Sequence, residues 1–192
     1  MDEQMLEAEY TLINALGTIS AAISATPSVA VPEHLKNGLG VTGNTLQAAG
    51  SSLDANINDG LDAIGGATQA FGNSLVIYGL IAQCSNEENL RKITIGNSLQ
   101  ALGGSLSLYS DLESEERNRA VALSIIGNLL QIAGNSLQAV STIFQLNQTV
   151  DETKSDQINA TGSWVQALGA SLSFLAAFDR VEIDGDMRPS NR

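Results

Sequence analysis

Apolar and polar positions along the chain fall into one phrase that keeps returning. From Gly96 it reads GNSLQALGGSL, with Leu99 and Leu106 seven residues apart and Gly96 and Gly103 at the same interval. A strand would alternate apolar and polar residues, whereas heptad spacing specifies a helix. Count the first glycine as position 0. At roughly 100° per residue, the leucines at positions 3 and 10 form one ridge and the glycines at 0 and 7 lie beside it. The glutamine at position 4 and the Asn-rich positions 1 and 8 fall on the other side of the glycines. Each helix thus carries a leucine ridge, a glycine groove and an amide ridge.

Four further clear copies are GNTLQAAGSSL from Gly43, GGATQAFGNSL from Gly65, GNLLQIAGNSL from Gly127 and GSWVQALGASL from Gly162. A worn copy, YTLINALGTIS, starts at Tyr10; Asn14 stands in for the glutamine and Gly17 keeps the second glycine. Spacings of this size point to a repeat architecture. The midpoints between copies fall on turn or helix-start signals: TPSVAVPEH, DANINDG, CSNEEN, SDLESEER and NQTVDETKSD. Ser85, Ser114 and Asp151 read as N-caps, and Glu87-Glu88 and Glu115-Glu116 as acids of first turns. One helix per copy follows. Antiparallel neighbours would set phrase against phrase at one height, whatever the loop length. The predicted fold is all-α, an up-and-down antiparallel array or bundle of about six helices. It forms a single domain over residues 1–178, with residues 179–192 as a short linker-like tail.

Glycine inside a helix costs about 1 kcal/mol relative to alanine. Ten such glycines would cost roughly 10 kcal/mol, the stability of a whole domain. Close helix approach can offset this, so the packing glycines are Gly17, Gly43, Gly50, Gly65, Gly72, Gly96, Gly103, Gly127, Gly134, Gly162 and Gly169. The amides beside the groove, Asn14, Gln47, Gln69, Gln100, Gln131 and Gln166, would form a buried belt near one level. They would bond to each other, to backbone or to water. The belt is a structural ladder or, alternatively, the lining of a pore or small-ligand pocket. The G-N-x-L-Q-A-x-G-N-S-L phrase, with its acidic start and the Thr-Pro-Ser turn after the first helix, resembles an uncharacterised family of repetitive proteins from Bacillus-type bacteria. That resemblance implies no activity, ligand or functional residue.

Charge and composition sharpen the picture. Net charge is −12, only 16% of residues are charged, and aromatics are 4%. An acidic chain without a basic patch repels phosphate backbones, which sets nucleic-acid partners aside. Charges also avoid the helix centres: residues 10–32, 37–53, 63–86, 93–110, 120–150 and 157–178 contain none. The outer faces must then be Ser, Thr, Asn, Gln and Ala, or else be covered by another copy or by lipid. Ala120–Leu146 exceeds the roughly 20 residues a membrane-spanning helix needs. Its five amide side chains would need partners in lipid, and the loops show no Lys/Arg asymmetry. A membrane-associated or pore-like protein therefore ranks behind a non-enzymatic structural protein that self-associates, or binds an unknown protein partner, through uncharged faces. An amide-lined ligand carrier ranks third. The acidic N-terminus lacks a signal-peptide n-region, so the expected location is cytoplasmic.

No cofactor, metal or catalytic residue is expected. DANINDGLD (Asp54–Asp62) half-matches a calcium loop, but Gly60 comes one residue late and Gly65 takes the place of the bidentate Glu. A helix–turn–helix corner explains it better. His34 has no second ligand nearby, and Cys84, the lone cysteine, has no base within reach. Trp164 lies on the face away from the glycines, where it packs on a neighbour or marks a contact surface.

Overall fold

The computed structural model describes the backbone of residues 3–187 and the side chains of residues 3–181. Six helices account for almost all of it: α1 (Glu3–Ala25), α2 (Glu33–Ile57), α3 (Gly60–Ile81), α4 (Asn86–Glu113), α5 (Arg119–Asn147) and α6 (Glu152–Met187). Each carries one copy of the phrase, and every loop falls where the spacing between copies places a break. Ser85 caps α4 by accepting from the Glu88 N–H, and Asp151 caps α6 by accepting from the Lys154 N–H. Ser114 does not cap α5. The helix before it runs on to Glu113, and the cap is Asn118, whose side chain accepts from the Val121 N–H. Glu115 and Glu116 accordingly sit in the loop rather than in a first turn. Two tight reversals use left-handed backbone: Gly60 (φ 60) opens α3 and Gln148 (φ 50) closes α5. The stretch after Phe178, expected to be a tail, continues α6 as far as Met187; residues 188–192 lie outside the described residues.

The helices form a closed ring. Each packs on its two neighbours in sequence, α6 packs back on α1, and among the described residues no helix backbone approaches one across the ring. The question left open by the sequence, closed bundle or open array, is thereby answered. The ring is built of three hairpins, α1–α2, α3–α4 and α5–α6, and glycine explains each of them. A Cβ placed on Gly17 would lie 2.6 Å from the Gly43 carbonyl oxygen, and one on Gly43 would lie 2.7 Å from the Gly17 oxygen. The same reciprocal contact joins Gly65 to Gly103, Gly72 to Gly96, Gly127 to Gly169 and Gly134 to Gly162, at 2.5–2.9 Å throughout. Gly50 meets the Tyr10 carbonyl at 2.7 Å, so the worn copy keeps the register with its glycine missing. Position 0 of one helix therefore faces position 7 of its partner in all three hairpins. Leucines flank these seams: Leu46 Cβ would lie 2.9 Å from a Cβ on Gly17, and Leu137 Cβ 2.9 Å from one on Gly162.

Candidate functional site

The ring is inverted relative to an ordinary soluble bundle. Among the described residues the buried apolar side chains are ten alanines plus Val76 and Val121. The buried polar residues are larger: Asn44, Gln47, Asn73, Asn97, Gln100, Asn128, Gln131, Asn135 and Gln166, with several serines and threonines. The large apolar side chains lie outside, among them Leu16, Ile64, Phe71, Leu102, Ile126, Leu129 and Leu168, each about half exposed. The expectation that the outer faces consist of Ser, Thr, Asn, Gln and Ala is corrected here. Asn and Gln turn inward, and bulky apolar residues turn outward, Leu16, Phe71, Leu102 and Leu168 at position 6 and Leu12, Leu129 and Trp164 at position 2. The amides beside the glycine groove face inward, as the belt requires; what the sequence reading misplaces is the large apolar residues, which lie on the outer face. Outward hydroxyls fold back on their own helix: Thr45, Ser74, Ser98, Ser105 and Thr161 donate to the carbonyl four residues earlier at 2.8–2.9 Å.

The inward arc lines a lumen. At one end, residues from all six helices enclose a cavity of about 620 Å³ that includes Asn14, Ser51, Gln69, Ser107, Gln131 and Ser173. At the other, all six enclose about 420 Å³, with Ser24, Asn44, Val76, Asn97, Thr142 and Ser163 among the lining residues. Between them lies the amide belt. Within each hairpin the 0-to-7 register sets the two position-4 residues within about one residue rise, 1.5 Å, of each other. The belt side chains nevertheless part into two groups. Helical side chains lean toward their own N-terminus, and adjacent helices run in opposite directions. Asn14, Gln69 and Gln131, on the odd helices, lean into the larger cavity. There Asn14 donates to Ser51 Oγ at 3.0 Å and Gln131 to Ser173 Oγ at 3.0 Å. Gln47, Gln100 and Gln166, on the even helices, lean the other way and meet. Gln166 Nε2 donates to Gln47 Oε1 at 2.8 Å and to Gln100 Oε1 at 3.1 Å, and its own Oε1 accepts from Gln138 Nε2 at 2.8 Å. The backbones of α2, α4 and α6 do not approach one another, so these side-chain bonds cross the lumen.

Three residues at this level escaped the sequence reading as belt members: Thr18, Asn73 and Asn135, at position 8 of the odd helices. They are 1–2% exposed. Asn73 lies between Gln69, which lines one cavity, and Val76, which lines the other; Asn135 lies likewise between Gln131 and Gln138. The Oδ1 atoms of Asn73 and Asn135 are buried without a protein donor. The recurring asparagine at position 8 was the available signal.

The larger cavity is acidic. Glu7, Asp54, Asp62 and Asp111 face it, with Arg180 as their one basic companion there. Arg180 pairs with Glu7 across the α6–α1 seam. Asp111 accepts from Ser124 Oγ at 2.7 Å and Asn128 Nδ2 at 2.8 Å, and Asp62 from Ser110 Oγ at 2.7 Å. Burial, reinforced by the charges of Glu7 and Asp62, pushes the Asp54 carboxyl up to about 7. Burial also raises Glu7, against the pull of Arg180, and raises Asp111, against its hydrogen bonds. Asp54 and Asp62 belong to two helices joined by the Asn58-Asp59 turn, so the half-match to a calcium loop is a helical corner. Among the described residues no group of three or more acids, histidines or cysteines is arranged to hold a metal. His34 and Cys84 are exposed at helix ends. Trp164 is 45% exposed, and its Nε1 donates to Thr26 Oγ1 at 2.9 Å, bracing the loop after α1.

Fold and lumen together define a class: a closed ring of three glycine-seamed hairpins with a polar interior and an uncharged shell. The chain belongs to DUF6944, a family of unknown function whose model matches residues 10–174, from the worn first phrase to just past the last. No curated protein and no solved structure matches it.

Proposed function

We propose that this protein is a non-catalytic helical barrel seated in a lipid bilayer, with its uncharged shell against acyl chains and its lumen along the membrane normal. The observation that carries this reading is the inversion itself. On α1, α3, α4, α5 and α6 apolar side chains point out and amides point in, at the height where no charge occurs, while α2 presents small uncharged residues there. A protein partner covers one patch of a surface; lipid covers a circumference. The shortest charge-free run, residues 37–53, spans about 26 Å at 1.5 Å per residue, close to the roughly 30 Å hydrocarbon core. Exposed Tyr78 lies toward one end of the barrel and Tyr109 toward the other, as interfacial aromatics do. Hydroxyls bonded back to their own helix satisfy the demand of lipid that polar groups find internal partners. Averaged hydropathy understates this surface because half of each helix faces the lumen. By length and mean hydropathy, α5 alone among the described helices passes as a candidate span. Flotation of the purified protein with liposomes, followed by an alkaline carbonate wash, tests the reading. Retention in the lipid fraction is expected; a monodisperse protein that stays in the aqueous fraction would sink it.

A second reading, self-association, is favoured by one face. Between Leu35 and Leu53, α2 exposes only Asn37, Gly38, Thr42, Thr45, Ala49 and Ser52. Such small residues allow two helices to approach closely. Ala49→Trp should then convert an oligomer into a monomer in light scattering of the detergent-solubilised protein, and an unchanged mass would remove this face as a contact.

A further inference from the structure

We infer that the lumen is a conduit for small uncharged polar solutes of the water and urea type, with the Gln166 amide as its gate. This rests on the bilayer reading above. The two cavities open from opposite ends, and each is lined by all six helices, so they share the ring axis. What separates them is thin. On α3 the step from Gln69, in one cavity, to Val76, in the other, is about 10 Å of helix. It is closed by side chains rather than by backbone. Gln166 holds the closure through its bonds to Gln47, Gln100 and Gln138, all made by the ends of flexible side chains. The scaffold around them is held by glycine seams in which backbone meets backbone. The gate can therefore swing while the wall stays fixed.

The chemistry of the closure selects the solute. Each of its bonds joins an amide donor to an amide acceptor, so a molecule that carries both can replace them one for one at little net free energy. Asn73 Oδ1 and Asn135 Oδ1 add two buried acceptors, facing no protein donor, at the same level. An ion finds no opposite charge there and would have to shed water among neutral groups. The N–H groups of Gln166 and Gln138 point into the cluster and oppose a cation. The carboxylates of the acidic cavity lie beyond this constriction, at the mouth.

Stopped-flow light scattering of proteoliposomes tests the inference, with flotation confirming incorporation of each preparation. Urea and water should cross faster than in protein-free vesicles, while a potassium diffusion potential should persist. Gln166→Ala should speed urea entry, and Gln166→Met, which fills the same volume without hydrogen bonds, should slow it by about tenfold. Should Gln166→Met fail to incorporate, the Ala variant and Asn135→Leu carry the test, the latter with slowed urea entry. Incorporated wild-type protein without urea flux would overturn the conduit and leave the bilayer reading standing. Collapse of the potassium potential would overturn the selectivity for uncharged solutes. A protein that does not enter vesicles would overturn both readings.

Discussion

The seam inside a hairpin and the seam between hairpins are built to different tolerances. Inside α3–α4, a Cβ on Gly103 would sit 2.5 Å from the Gly65 carbonyl oxygen and 3.0 Å from the Gln69 backbone nitrogen. Nothing there can move without unwinding a helix. One residue on, Gly104 faces α5 across the next seam, and its Cβ would meet only Ile132 Cγ1, at 3.2 Å. That neighbour is a side chain and can shift. At the corresponding α6–α1 positions stand Ala170 and Ala15, both buried, so the repeat itself tolerates a methyl group between hairpins. The hairpin is thus the rigid unit, and the ring is an assembly of three such units. The α2–α3 seam is intermediate: a Cβ on Gly66 would lie 2.9 Å from the Ser51 oxygen.

Substitutions across the two kinds of seam should break or sharpen this contrast. Gly103→Leu should have the largest effect, a loss beyond about 4 kcal/mol or failure to fold, read by circular dichroism during urea titration. An unchanged midpoint would mean the groove faces solvent. Gly134→Ala comes next. Its Cβ would fall 2.6 Å from both the Gln166 backbone nitrogen and the Gly162 oxygen, so we expect a loss of about 2–3 kcal/mol despite the better helix propensity of alanine. Gly104→Ala, at the looser seam, should stay within about 1 kcal/mol of wild type. Equal effects at Gly134 and Gly104 would abolish the distinction between seams. The smallest effect belongs to Gly38→Ala. No atom lies within 4 Å of the added Cβ, and we expect stabilisation by about 0.5–1 kcal/mol.

A pH titration probes the acidic mouth, where the α6–α1 seam closes the ring. Burial pushes the Asp54 carboxyl up to about 7, well above the ordinary carboxylate range. The folded state therefore holds this proton more tightly than the unfolded chain does. Stability should be highest below about pH 4 as far as this group is concerned, fall as pH rises toward 7, and level off above. Glu7 and Asp111 are shifted in the same direction. Asp54→Asn should flatten the slope and stabilise the protein at pH 8. A wild-type melting temperature that rises steadily between pH 5 and 8 would contradict this account of the cavity.

Much of the fold was legible in the phrase. Local signals carry helix number, turn positions and antiparallel order, and the paired glycines set the register. Closure of the ring was not legible. It depends on residues far apart in sequence, such as Arg180 with Glu7 and Trp164 with Thr26, for which no periodicity speaks. The wheel groups residues into arcs and is silent on which arc meets the axis. The glycine groove marks the position-4 amides as buried, but nothing in the phrase says that the large residues at position 6, such as Leu102 and Leu168, are left outside. The split of the belt had a simpler origin. Position 4 fixes the height of the backbone only, while a glutamine side chain reaches several ångströms toward the N-terminus of its own helix. Direction of travel therefore decides which residues meet: Gln47, Gln100 and Gln166 do, and Asn14, Gln69 and Gln131 lean away toward the acidic mouth.

Contact between α6 and α1 makes the order of the hairpins cyclic rather than linear. Six helices bring Glu3 and Met187 back to the same end of the barrel. A circular permutant, joined there and opened between Asn58 and Asp59, would keep every helix neighbour. Chain connectivity at the α2–α3 corner would simply be exchanged for connectivity at the α6–α1 junction. In the topology of this ring no hairpin comes first.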